Sequence, residues 1–279
     1  MLLDNPQKNE KDVNYGTAID LALQQVLFDA VGHLGRRSLY RHPTILRLWK
    51  EYPAFLKEEG GHDIISLPHV IAGLKRFYQM FYSKGKEKES ILLVGCNVAS
   101  CGTISYYGEK VGCKFIAYRW IPGLLTNRDV VRKMMVRNIS ANSTKKERMF
   151  FTKKLEKREV ALKGVVGMTK PSLIFLSSVG ANPVVVKEAK VMGIPVWAVA
   201  DTSDDIRGLR DVIIGNSDSM VFMEIVVSCI AHAIIAGNTG DVNVYDAYYA
   251  WAEGYIDRST EGGFEKEEVE SIEDNKTDG

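Results

Sequence analysis

The chain has 279 residues, 46% of them apolar and 25% charged, enough to bury one sizeable core and near the upper limit for a single one. Its formal net charge of +1 averages two opposed regions: Arg119 to Lys170 holds 14 Lys/Arg against 4 Asp/Glu, whereas Asp241 to Gly279 holds 3 against 12. Such asymmetry implies a polyanion-facing segment and an acidic tail. No run reaches the roughly 18 apolar residues of a membrane span.

Residues 1–16 are polar and aperiodic and read as a flexible N-terminal extension. Their acids, Asp4, Glu10 and Asp12, argue against both a signal peptide and an Arg-rich transit peptide. From Thr17, the spacing of Ile19, Leu23, Val26, Leu27 and Ala30 predicts a helix ending near Gly32. The stretch Gly35 to Pro43 carries Arg36, Arg37, Arg41 and His42 around one tyrosine. It is either a solvated loop or a phosphate-contacting one, since guanidinium groups beside free backbone N–H donors suit a nucleic-acid backbone. Residues 44–61 suggest a short helix and an irregular connection. A strand over Asp63–Leu67, a helix over Val70–Tyr82 and a loop over Ser83–Ser90 follow.

Ile91–Val94, cut off by Gly95, has the continuous apolar form of a strand buried on both faces. A helix over 99–111 and a strand over 114–118 come next, then a hinge, Tyr118 to Asn127, that turns through Pro122-Gly123. Beyond it, residues 126–163 place a thin apolar stripe among Lys and Arg, broken by the cap-rich Asn138–Thr144. This predicts an antiparallel, coiled-coil-like helical hairpin inserted into the domain. Alternation then resumes: strand Leu173–Leu176, helix Pro183–Met192, strand Val196–Ala200, polar turn Asp201–Asp205, strand Val212–Ile214 and an apolar helix over 218–236. Residues 237–279 read as an acidic, partly disordered C-terminal extension. Repeated strand-helix-strand order over 17–236 predicts an α/β domain with a doubly wound parallel sheet.

Doubly wound sheets bind ligands at the carboxyl ends of their strands. Gly95 to Gly102 there has neither a dinucleotide glycine pattern nor a P-loop. Ser177 to Asn182 either holds a phosphate at a helix start or is a tight turn, and Asp201, Asp204 and Asp205 are either metal or base candidates or capping residues. The spacing of Cys96, Cys101 and Cys113 matches no zinc site, and with Cys229 they sit in apolar runs, as free thiols do. His232 falls on an apolar helix face. No catalytic set, metal site or cofactor site emerges. The nucleic-acid reading gathers more: the Arg36, Arg37, Arg41 and His42 loop, the Arg119-Trp120 pair poised to stack on a base, Asn127, and the arm cations Arg128, Arg132, Lys133, Arg137, Lys145 and Lys146.

Several stretches occur in the order seen in the second protein of the bacterial and organellar small ribosomal subunit. They are Gly32-His33-Leu34-Gly35, His62 to Leu67, Ile91 to Gly95, Arg119-Trp120 through Gly123-Leu124-Leu125-Thr126-Asn127, Leu162-Lys163-Gly164, Glu188-Ala189 to Gly193-Ile194-Pro195-Val196, Asp201-Thr202 and Gly215-Asn216-Ser217-Asp218. The chain resembles that family from about Gln25 to Ala236. The resemblance implies a non-enzymatic, flavodoxin-like (Rossmann-like) sheet with an inserted helical hairpin, bound to small-subunit ribosomal RNA and neighbouring ribosomal proteins where head meets body. No cofactor, membrane or small-molecule substrate is implied. Pro122, Ser177-Ser178 and Asn97-Val98 depart from the family pattern, and the hairpin is shortened. These departures suggest an organellar, mitochondrial member, with a bacterial or plastid cytoplasm as the alternative location. The rival reading is a phosphosugar isomerase using the Ser177–Asn182 turn and Asp201.

Overall fold

The computed structural model describes residues 10–127, 163–165, 167–240 and 242–260. The expected hairpin, with Arg128, Arg132, Lys133, Arg137, Lys145 and Lys146, lies outside these residues, as does the acidic run 261–279.

Five parallel strands form the main sheet: β4 (Ile91–Val94), β5 (Lys114–Ile116), β6 (Leu173–Leu176), β7 (Val196–Ala200) and β8 (Asp211–Ile214), in spatial order β5-β4-β6-β7-β8. Counted along the chain as 1 to 5, this is the order 2-1-3-4-5 of the flavodoxin-like class, whose direction reverses between β4 and β6. Every residue of β4, β6 and β7 is buried, which is why these strands read as unbroken apolar runs. A second, antiparallel sheet of three short strands, β1 (Leu34–Arg37), β2 (Leu56–Glu59) and β3 (His62–Ile65), has β3 in the middle. β1 and β2 were not legible as strands. They alternate poorly and are four residues each, and pairing with β3 rather than propensity makes them extended.

The helices are α1 (Glu10–Asp29), α2 (Pro43–Glu51), α3 (Leu67–Lys86), α4 (Cys101–Val111), α5 (Pro183–Met192), α6 (Met220–Thr239) and α7 (Val244–Thr260). α6 packs against α3, α4 and α7, so it is apolar nearly all round and is long and apolar enough to cross a membrane, yet 67% of that window is buried in the core. Phe77 and Phe81 of α3 meet Phe175 of β6 and Trp197 of β7 edge to face, with the Phe77 and Trp197 centroids 4.9 Å apart.

Both ends of the domain differ from the sequence expectation. Residues 10–16 belong to α1 rather than to a flexible lead, and residues 244–260 form a docked helix rather than the start of a disordered extension. The reason is packing. Tyr248, Trp251 and Tyr255 of α7 recur every three or four residues and are buried, and Lys75 of α3 joins Asp20 of α1 to Tyr249 of α7.

α3 and α6 approach closely enough to require glycine. A Cβ on Gly85 would lie 2.6 Å from the carbonyl oxygen of Ile234, and one on Gly237 would collide with that of Tyr82. Gly85→Ala is therefore expected to lower unfolding free energy by about 1–3 kcal/mol in urea titration. Gly102→Ala, on α4 with open space at its Cβ, is expected to be neutral or to stabilise by about 0.5–1 kcal/mol.

Candidate nucleic-acid interface

The hinge after β5 is organised by one acid. Glu188 sits on the apolar face of α5 beside Val185 and Ala189 and is buried. Its Oε1 accepts the indole N–H of Trp120 at 3.1 Å and the backbone N–H of Gly123 at 2.7 Å, and its Oε2 accepts that of Leu125 at 3.1 Å. A buried carboxylate needs such donors, and here they fold residues 120–125 onto the sheet. Gly123 takes a φ of +87°, open to glycine at no steric cost. Trp120 is thus held inside and is not free to stack on a base, contrary to the sequence expectation. The exposed ring at the hinge is Tyr118, next to exposed Arg119. Asn127 is exposed too, its N–H bonded to the Gly123 carbonyl at 2.7 Å. Where the described chain resumes, it is seated at Gly164, whose missing Cβ leaves room for Phe115 of β5.

The small sheet closes over the carboxyl end of β7. The Arg36 N–H donates to the Thr202 hydroxyl at 3.0 Å and its Nε to Asp201 at 3.1 Å, while the His42 N–H donates to the Thr202 carbonyl at 2.9 Å. Arg36 also pairs with Asp218. Arg41 is only 8% exposed, pairs with the fully buried Asp63 and with Glu58, and lies 4.4 Å over the Trp49 ring. His42 caps α2, its Nδ1 accepting the Thr44 N–H at 3.3 Å. Of the four residues expected to meet phosphate here, only Arg37 has an exposed side chain with no hydrogen bond or ion pair to any described residue. The strand fold of Leu34–Arg37 leaves the Arg36 side chain about half exposed but pairs it with Asp201 and Asp218, and Arg41 is fixed on a buried acid. The signal that was missed is Asp63, a charge inside an apolar strand pattern, which demands a cation nearby.

At the β4/β6 reversal, where a flavodoxin-like sheet would seat a ligand, side chains bond to one another. Ser100 and Ser177 hydroxyls are 2.7 Å apart, both bond to Asn97 Oδ1, and Asn97 Nδ2 donates to the Ser217 carbonyl at 3.0 Å. Ser178 reaches Ser217 at 3.3 Å. Ser100, Ser177, Ser178 and Ser217 are buried. The Ser177 and Ser178 hydroxyls of the Ser177–Asn182 turn are thereby committed to internal bonds rather than offered to a phosphate. Next to it, Asp204 Oδ2 accepts the Asp201 N–H at 2.9 Å. Burial raises the Asp201 carboxyl to about 6 against the pull of Thr202 and Arg36, and raises Asp204 for the same reason. No group of three or more metal-ligating side chains occurs among the described residues.

The family model for ribosomal protein S2 matches residues 30–237, more than half of the chain. The small ribosomal subunit protein uS2 of Shewanella piezotolerans is 29% identical over 223 residues, 76% of this chain and 90% of that protein. That of Fusobacterium nucleatum subsp. nucleatum is 28% identical over 230 residues, 78% and 91% respectively.

Removing the hinge acid leaves three N–H donors facing a void. Glu188→Ala is expected to destabilise by on the order of 3 kcal/mol in equilibrium unfolding, with Trp120 fluorescence shifted to the red, and Glu188→Gln by less. Asp201 and Asp204 hold their protons more tightly folded than unfolded, so folding takes up protons between about pH 4 and 6 and their contribution to stability rises as pH falls through that window. An Asp201→Asn, Asp204→Asn double variant should show a smaller gain in urea midpoint between about pH 7 and 5 than the parent.

Proposed function

Because the chain belongs to the ribosomal protein S2 family, we propose that it binds small-subunit ribosomal RNA and neighbouring ribosomal proteins where head and body of the subunit meet. It is a ribosomal protein of the small subunit, and its role is structural, not enzymatic. The family match over residues 30–237 carries this reading. The strand ends agree with it, since Asn97, Ser100, Ser177 and Ser217 bond to one another there, and the isomerase alternative lacks support.

RNA contact is assigned to the arm cations Arg128, Arg132, Lys133, Arg137, Lys145 and Lys146 and to the exposed cations at its root and on the small sheet, Arg119 and Arg37. Tyr118, exposed beside Arg119, takes the stacking role that buried Trp120 does not fill. Asn127 lies exposed where the arm leaves the body. Arg36, Arg41 and His42 serve the fold that presents these groups.

The compartment proposed is the mitochondrion. What supports it is drift from the bacterial pattern at Pro122, Ser177-Ser178 and Asn97-Val98, with 28–29% identity to the bacterial relatives named above. Fluorescent tagging in the source cell tests it, and signal confined to another compartment overturns it.

The RNA reading is tested by sedimentation. Arg132→Glu, Lys133→Glu and Lys145→Glu together should move the protein from small-subunit fractions toward the top of a sucrose gradient. The slope of log K against log salt should shrink by roughly 0.7–0.9 for every phosphate the variant no longer neutralises. Arg41→Ala should lower stability and leave that slope unchanged. Unaltered incorporation of the triple variant would remove the arm from the RNA interface.

A further inference from the structure

We infer that the outer face of α1 is a docking surface for a basic amphipathic helix of a neighbouring protein. The inference rests on the ribosomal reading and adds a second face to it. α1 buries Ile19, Leu23 and Leu27 in the core. Its opposite side carries a second stripe, Ala18, Leu21, Gln25 and Phe28, spaced by three and four residues, which is the spacing by which one helix receives another. Leu21 is 60% and Phe28 52% exposed, and Phe28 lies flat on His33 with centroids 4.4 Å apart.

The stripe ends at Val31, which is 41% exposed and has a φ of +57°. A β-branched residue in the left-handed region is an outlier, and just past a helix end this is where glycine usually sits. The strained backbone therefore holds an apolar side chain on the surface where glycine would relax it. Met220 extends the patch, brought alongside by the Ser219 hydroxyl bond to the Ala30 carbonyl at 2.6 Å.

Charge selects the occupant. Among the described side chains, α1 exposes Asp29, its Asp20 being paired with Lys75, and the adjoining α7 exposes Asp246, Glu253 and Asp257 against Arg258. This acidic setting repels RNA, anionic lipid and a second copy of the same face, and it attracts a cationic helix with apolar anchors.

The test places a photo-crosslinking benzoylphenylalanine at Gln25 of the full chain in assembled small subunits purified by gradient. The expected product is a protein cross-link to a segment in which Lys/Arg outnumber Asp/Glu and apolar residues recur at three- and four-residue spacing. A Leu21→Glu, Phe28→Glu double variant carrying the same probe should lose that product while keeping its unfolding midpoint and its sedimentation with the subunit. Cross-linking to ribosomal RNA, to a segment without those features, or to nothing overturns the inference. A parent chain that never sediments with the subunit overturns the ribosomal reading and this inference with it, a distinguishable result.

Discussion

A buried carboxylate that must stay hydrogen-bonded fixes the course of the chain after β5. Glu188 draws in the indole of Trp120 and the N–H groups of Gly123 and Leu125, and each donor would otherwise be a polar group stranded in the core. The chain leaving β5 is therefore bent against α5 within a few residues instead of running on as a strand. The returning chain is fixed independently, by Phe115 filling the space that Gly108 and Gly164 leave open. Two anchors of different chemistry, one polar and directional and one steric, hold both limbs at the edge strand β5.

The same economy explains how a flavodoxin-like sheet serves without turnover. The reversal between β4 and β6 opens a crevice in this topology, and a ligand there would need unsatisfied donors and acceptors. Asn97, Ser100, Ser177 and Ser217 satisfy one another instead, and the small antiparallel sheet covers the next strand end through Arg36, His42 and Thr202. Groups that would recognise a small molecule elsewhere are here the mortar between loops. Asp201 and Asp204 fit that role: they are elevated by burial and serve as backbone acceptors.

Much of this was legible in the residues, and the limits have physical causes. The buried parallel strands β4, β6 and β7 announce themselves as apolar runs, and α5 by proline at its start and glycine after its end, because burial on both faces and helix capping are local properties. β1 and β2 exist through pairing with β3, a nonlocal cause that no four-residue pattern contains. α7 was obscured by the acidic run that follows it, although Tyr248, Trp251 and Tyr255 already had helical spacing. The site divides the same way. The motif around Arg119 and Trp120 marks the hinge, but which of Tyr118 and Trp120 faces outward depends on Glu188, sixty-eight residues from the tryptophan. Likewise, Arg41 reads as a free cation until Asp63 is seen behind it.

Sorting cations by what they already touch changes where RNA affinity must come from. A guanidinium bonded to a buried acid has no counterions to release, so bringing phosphate to Arg41 would strand Asp63 in the core at a cost greater than one phosphate bond offsets. Arg36 shares itself between Asp201 and Asp218, and Arg76 is held by Asp211. The body thus uses much of its basic character internally and presents acid on the α1 and α7 side. Against that background the excess of Lys and Arg between Arg119 and Lys170 is the main positive field the chain can offer a polyanion. On the proposed reading this separation of charge orients the chain, with the β5 edge toward phosphate and the α1 layer toward protein.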